Sequence, residues 1–122
     1  MKIIAKNRRA RFDYEISDEV EAGIILTGQE VKSARAGNAN LSGAYVSFLT
    51  GKPLLKNAKI QPYRYASNLT GYAPDRDREL LLRKKELHRL LGRAQEKGVS
   101  VLPLELRAGR TIKVLLGLGR GR

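Results

Sequence analysis

The chain has 122 residues, 42% of them hydrophobic, and a formal charge of +12 from 24 lysines and arginines against 12 acids. That length suits one domain spanning 1–122 with a real core, and the charge points to a polyanionic partner, nucleic acid before an anionic membrane surface. With no cysteine, one histidine (His88) and no apolar run near the roughly 18 residues of a spanning helix, the composition excludes a disulfide framework, Cys-type or multi-histidine metal sites and a helical membrane anchor.

No metal or other cofactor is expected, and a cytoplasmic location is, because Met1 to Asn7 lacks the apolar region of a secretory signal. Lys2, Lys6, Arg8, Arg9 and Arg11 form a basic arm over 1–11, ahead of the first acid. Arginine forks grip phosphate oxygens with two prongs, so Asn7-Arg8-Arg9-Ala10-Arg11 suits phosphate binding; a disordered charged terminus is the alternative. Phe12 to Leu26 reads as strand, a turn near Ser17–Asp18, then strand, with Tyr14 and Ile16 alternating with charged neighbours and Gly23 marking a bulge. Acids crowd this stretch, at Asp13, Glu15, Asp18, Glu19, Glu21 and Glu30. None occurs from Val31 to Pro74, which predicts one electropositive side and one acidic or neutral side.

The apolar run ends at Gly28. A short helix follows near 29–36, with Lys32 and Arg35 on one face and Gly37 as a C-terminal stop. A bare cationic helix turn beside a sheet suits contact with a polyanion. Tyr45 to Leu49 and Leu54 to Ile60 are strands joined by the hairpin loop Thr50-Gly51-Lys52, with Pro53 at the start of an edge strand. Tyr63 to Arg78 shows no period and reads as a long loop, in which the sequon at Asn68 carries no weight without a secretory route. Tyr63, Tyr65 and Tyr72 border it with Arg64, Arg76 and Arg78. Such an interleaving stacks on unpaired bases, or else the tyrosines are plain packing anchors. Asp75 and Asp77 suit ion pairing in this arginine-rich loop. Leu80 to Leu82 fits either a short buried strand or the first turn of a helix.

A helix near 84–97 is the clearest element: Leu87, Leu90, Leu91 and Ala94 line one face, and Gly98 stops it. Gly92 costs about 1 kcal/mol there relative to alanine, so a close packing partner is expected. Lys85, Arg89, Arg93 and Lys97 form a basic stripe, read equally well as a solvated face, with Glu86 and Glu96 relieving the repulsion. Val99 to Arg107 and Thr111 to Leu118 are strands joined by Ala108-Gly109-Arg110, and Gly119 to Arg122 is a flexible basic end.

The order predicts a mainly β fold with flanking helices: a small OB-type antiparallel barrel of about six strands, an architecture that commonly binds single-stranded or looped nucleic acid. No serine sits in a nucleophile elbow and no Walker-type loop exists, so no enzymatic activity is expected. A generic basic OB-type module and a small cationic nuclease are the competing readings.

Five ordered blocks resemble one family. They are Asn7 to Tyr14, Glu21 to Gly37, Pro74 to Leu82, Gln95 to Gly98 with Val101 to Leu104, and Gly117 to Arg122. The family is that of the SsrA-binding protein, SmpB. The resemblance implies an OB-type barrel that binds the transfer-RNA-like domain of transfer-messenger RNA and acts in trans-translation on stalled ribosomes; a monomer is expected. It ties Asn7, Glu21 and Leu81 to RNA binding and agrees with a phosphate role for Lys32 and Arg35. Arg8, Arg9, Arg11, Arg76, Arg78, Lys85 and Arg89 complete the expected RNA-binding set. Phe12, Ala34, Ala73 and Glu79 depart from the residues usual in the family. Arg120-Gly121-Arg122 matches the start of the family's long basic tail, and a chain stopping there is expected to bind the RNA yet support peptide tagging poorly.

Overall fold

The computed structural model describes residues 1–66 and 69–122; Ser67 and Asn68 of the expected loop lie outside the described residues. In chain order the elements are β1 (Lys2–Lys6), α1 (Arg8–Asp13), β2 (Tyr14–Ile24), α2 (Gly28–Arg35), β3 (Ala39–Asn40), β4 (Tyr45–Ser47), β5 (Leu54–Lys56), β6 (Lys59–Ile60), β7 (Arg78–Leu81), α3 (Lys84–Ala94), β8 (Val99–Ala108) and β9 (Ile112–Gly121). Seven strands form one antiparallel sheet in the order β1-β8-β9-β2-β7-β5-β4, and β3 pairs with β6 apart from it. Strand β4 packs against β8, five places away in that order, so the sheet is strongly curled. The ladder does not return from β4 to β1. The expected barrel is therefore an antiparallel sheet rolled upon itself and not sealed by hydrogen bonds.

The long strands explain the roll. β9 reads Val114, Leu115, Leu116 and Leu118, all buried, because it lies between β8 and β2 with apolar matter on both faces. Val20, Ala22, Leu55, Leu80, Val101, Leu106, Val114, Leu116 and Leu118 build the inner core, which Leu90 of α3 caps. Ala10 of α1 covers a smaller cluster on the other face with Leu102, Leu104 and Leu115. Gly117 permits this second layer: a Cβ there would sit 2.7 Å from Leu104 Cδ1 and 2.8 Å from Ile16 Cγ2.

Several boundaries differ from the sequence expectation. The basic arm is ordered, as β1 and α1, because β1 pairs with β8 and Asn7 caps α1. The strand–turn–strand is one strand, β2, whose register slips between Ser17 and Val20 around Asp18 at φ 54°. Gly23 marks no bulge; it stays in register with Lys113 and Leu81. The Leu54–Ile60 strand breaks at Asn57 (φ 63°) into β5, paired with β4 and β7, and β6, paired with β3. Leu80 belongs to a strand, held between β2 and β5. Helix α3 stops at Ala94, and the close partner expected at Gly92 is missing, with no described atom within 4 Å of a Cβ built there. The supposedly flexible end is strand: Gly121 pairs with Tyr14, and the Arg122 N–H donates to the Asp13 carbonyl at 3.1 Å. Helix α2 falls where it was expected, and Gly37 follows it at φ +87°.

Candidate nucleic-acid interface

Helix α2 is fixed at its N-terminus by a capping box. Thr27 Oγ1 accepts from the Glu30 N–H at 3.2 Å, and Glu30 Oε1 accepts from the Thr27 N–H at 2.9 Å. The same carboxylate takes two arginines. Arg76 Nη2 donates to Glu30 Oε1 at 2.5 Å, and Arg78 Nη2 donates to Oε2 at 2.7 Å. Arg78 further donates to the Ala58 carbonyl at 2.8 Å and the Pro74 carbonyl at 2.9 Å. Burial alone pushes the Glu30 carboxyl up. The hydrogen bonds from Arg76, the Thr27 amide and Arg78, with the Arg78 charge, outweigh it and hold the group below its ordinary 4.5. Glu30 and Arg78 are 1% and 0% exposed. A charged pair so deep is sustained only because nearly every polar atom has a partner. The result pins α2 to the segment running into β7.

The opposite face of α2 looks outward. Lys32 is exposed, with Nζ 5.8 Å from the ring centroid of Tyr63. Arg35 Nη2 donates to the carbonyls of Gly109 (2.9 Å) and Arg110 (3.2 Å), which ties α2 to the turn between β8 and β9. Among the described residues, Lys32, Lys59, Arg64, Arg83, Arg110 and Lys113 form no ion pair. Two of these, Arg83 and Lys113, line a shallow groove of about 510 Å³ with Glu21, Gly23, Leu81, Leu82 and Glu86. Strand register builds it: Gly23 faces Lys113 on one side and Leu81 on the other, and a Cβ at Gly23 would meet Leu81 Cβ at 3.2 Å. Leu81 is half exposed there, and Glu21 accepts from Arg107 at 3.4 Å. The groove offers an apolar platform, a carboxylate acceptor and flanking cations.

The structure divides the expected site residues. Glu21 and Leu81 share the groove, and Lys32 and Arg35 share α2. Asn7 does not join them. It is buried, its Oδ1 accepts from the Ala10 N–H at 3.1 Å, and its Nδ2 donates to the Pro103 carbonyl at 2.8 Å. Its place is the far end of β1 from the β8–β9 turn, since Lys2 faces Ala108 while Asn7 bonds Leu104. Arg78 is corrected in the same way: a fully buried guanidinium has no surface to offer. Arg76 is part exposed and already paired. On α1, Arg8 is exposed, whereas Arg9 pairs with Asp13 at 3.4 Å and Arg11 with Glu19 at 3.6 Å. On α3, Lys85 is exposed and Arg89 pairs with Asp18 at 3.0 Å. Arg120 pairs with Glu96 at 3.6 Å, and Gly121 and Arg122 border α1. Acids of β2 thus neutralise cations of α1 and α3, and the basic stripe of α3 is partly spent. Asp77 pairs with Lys56 at 3.0 Å, as its loop setting suggested.

Tyr72 is a packing anchor. Its hydroxyl donates to the Ile60 carbonyl at 2.6 Å, and burial, then the Glu30 charge, raise its pKa above 10.0. Sequence reasoning passed over Glu30, Arg83 and Lys113. Glu30 had a readable signal, the Thr-x-x-Glu spacing of Thr27 and Glu30 ahead of an apolar residue. Arg83 and Lys113 had none, because strand pairing brings Lys113, and the start of α3 after β7 brings Arg83, to the groove that holds Glu21.

Fold and surface define a small, strongly cationic antiparallel β protein that holds fixed lysines and arginines out to a polyanion. The family model described as SmpB protein matches residues 4–122. The SsrA-binding protein of Synechococcus sp. (strain JA-3-3Ab) is 47% identical over 123 residues, covering 100% of this chain and 80% of the relative. That of Anaeromyxobacter dehalogenans (strain 2CP-C) is 47% identical over 122 residues, covering 99% and 74%. A solved chain described as "tmRNA-SmpB: a journey to the center of the bacterial ribosome" superposes with a TM-score of 0.80 at 46% identity, over 99% of this chain and 85% of that one. This chain belongs to the SmpB family.

Proposed function

We propose that this protein binds the transfer-RNA-like domain of transfer-messenger RNA and helps deliver it to stalled ribosomes in the bacterial cytoplasm, as an adaptor that makes and breaks no covalent bond. The carrying observation is the family match across 4–122, set on a fold that leaves cations unpaired around α2, the β8–β9 turn and the Glu21–Leu81 groove. Phosphates meet Lys32, Arg83, Arg110 and Lys113. Glu21 cannot attract phosphate; it accepts from base or ribose donors while Leu81 supplies an apolar contact. Exposed Arg8 and Lys85 add peripheral phosphate contacts, while Asn7 and Arg78 act from behind by holding α1 and α2 in place.

Competition decides the reading. Labelled transfer-messenger RNA is bound in the presence of increasing amounts of bulk transfer RNA. The expected result is retention of the label against a large excess of competitor. Equal affinity for both RNAs would instead make the chain a generic basic module, and cleavage of the label would make it a nuclease.

A further inference from the structure

We propose that Tyr65, with Arg64 beside it, is a stacking platform for one unpaired nucleobase; this rests on the RNA-binding reading above and adds a contact that reads π-surface, not charge. Tyr65 is 73% exposed, an unusual cost for a ring carried on a loop. It is nonetheless held. Its centroid lies 5.6 Å from that of Tyr63 at an interplanar angle of 70°, and the Arg64 guanidinium carbon lies 5.6 Å from the Tyr65 centroid.

The segment beneath is tied to α2. The Tyr63 N–H donates to Gln29 Oε1 at 3.2 Å, Ser33 Oγ donates to the Gln61 carbonyl at 2.5 Å, and Lys32 stands over Tyr63. The Ala66 N–H donates to the Tyr63 carbonyl at 3.0 Å, closing a turn that presents residues 64 and 65 outward. The segment itself carries no acid between Val31 and Pro74, and the charged groups set against its rings are the cations Lys32, over Tyr63, and Arg64, over Tyr65.

Two of the three tyrosines bordering the loop therefore have structural duties. Tyr72 is bonded to Ile60, and Tyr63 supports its neighbour. Tyr65 alone has an exposed ring next to an arginine and a lysine-bearing helix, the combination that stacks bases without reading their edges. A partner that covered the ring by apolar packing alone would have no use for the adjacent Arg64 and Lys32, whereas a nucleotide uses both, its base on the ring and its phosphate on the cations.

The chain contains no tryptophan, so Tyr65→Trp installs a single reporter at the platform. Its emission is followed while the transfer-RNA-like domain of transfer-messenger RNA is added, and affinities are measured in parallel for wild type, Tyr65→Phe, Tyr65→Leu and Tyr65→Ala at several salt concentrations. Stacking predicts quenched emission, Phe within about twofold of wild type, and Leu and Ala weakened about 5- to 150-fold with an unchanged salt slope. Unquenched emission, Leu binding like wild type, or Ala binding like wild type each overturns the platform. If wild type itself fails to bind this RNA, the function proposed above falls with it. If wild type binds and Tyr65→Ala loses only ribosome association, the ring serves another surface and the platform alone is wrong.

Discussion

Glu30 joins three parts of the chain through one carboxylate: the start of α2, Arg76 of the long loop and Arg78 of β7. Removing one partner of a buried pair leaves an uncompensated charge, typically a loss of about 3–5 kcal/mol. Glu30→Ala is expected to lose that much in urea unfolding at neutral pH, and Glu30→Gln somewhat less, since an amide keeps part of the cap. The pH dependence has a definite sign. The folded pKa of Glu30 lies below its ordinary 4.5, so its stabilisation is complete above that value and is lost as pH falls through the depressed one. Unfolding curves between about pH 3 and 7 should show a steeper acid limb for wild type than for Glu30→Gln; superimposed limbs would remove Glu30 from the account.

At the level of elements, α1 is the clearest case of a role that charge alone misstates. Asn7-Arg8-Arg9-Ala10-Arg11 has the composition of a mobile basic arm, yet Asn7 caps a helix whose Ala10 closes the outer apolar cluster. Asn7→Ala removes a cap, worth about 1 kcal/mol, and leaves the buried Pro103 carbonyl without its donor, worth about 1–3 kcal/mol more. Thermal unfolding should show the loss, while the salt slope of RNA binding should stay near wild type; a flattened slope would restore Asn7 to direct phosphate contact by way of α1. The elements themselves were largely legible. Helix α2 was readable because Gly28 and Gly37 bracket it, and α3 because its leucines keep one face. The slip at Asp18 falls where a turn was read, although the strand runs on through it; the break at Asn57 was not legible, since a single left-handed residue inside a strand-like run leaves no periodic trace.

Across the whole molecule the net charge of +12 sets the attraction, and pairing decides which cations remain to deliver it. Lys32 has no ion-pair partner, so Lys32→Ala should flatten the slope of log K against log salt by about 0.7–0.9. Arg35→Ala should add about as much and also loosen α2 from the β8–β9 turn, because its guanidinium holds two carbonyls there. Filter-binding titrations of the single and double variants check this, and an unchanged slope in the double variant would exclude both from phosphate contact.

Sequence by itself determined the class of partner, the mainly antiparallel β fold, both main helices and the family. Those properties rest on composition, spacing and ordered motifs, which are one-dimensional. Only the tertiary structure decided which charges were available: Arg78 went to the interior with Glu30, Asn7 to a cap, Arg89 to Asp18, while Lys113 came to Glu21 and Leu81. Charges act through space and are cancelled by whatever acid the fold brings within a few ångströms, and a linear chain does not record those distances.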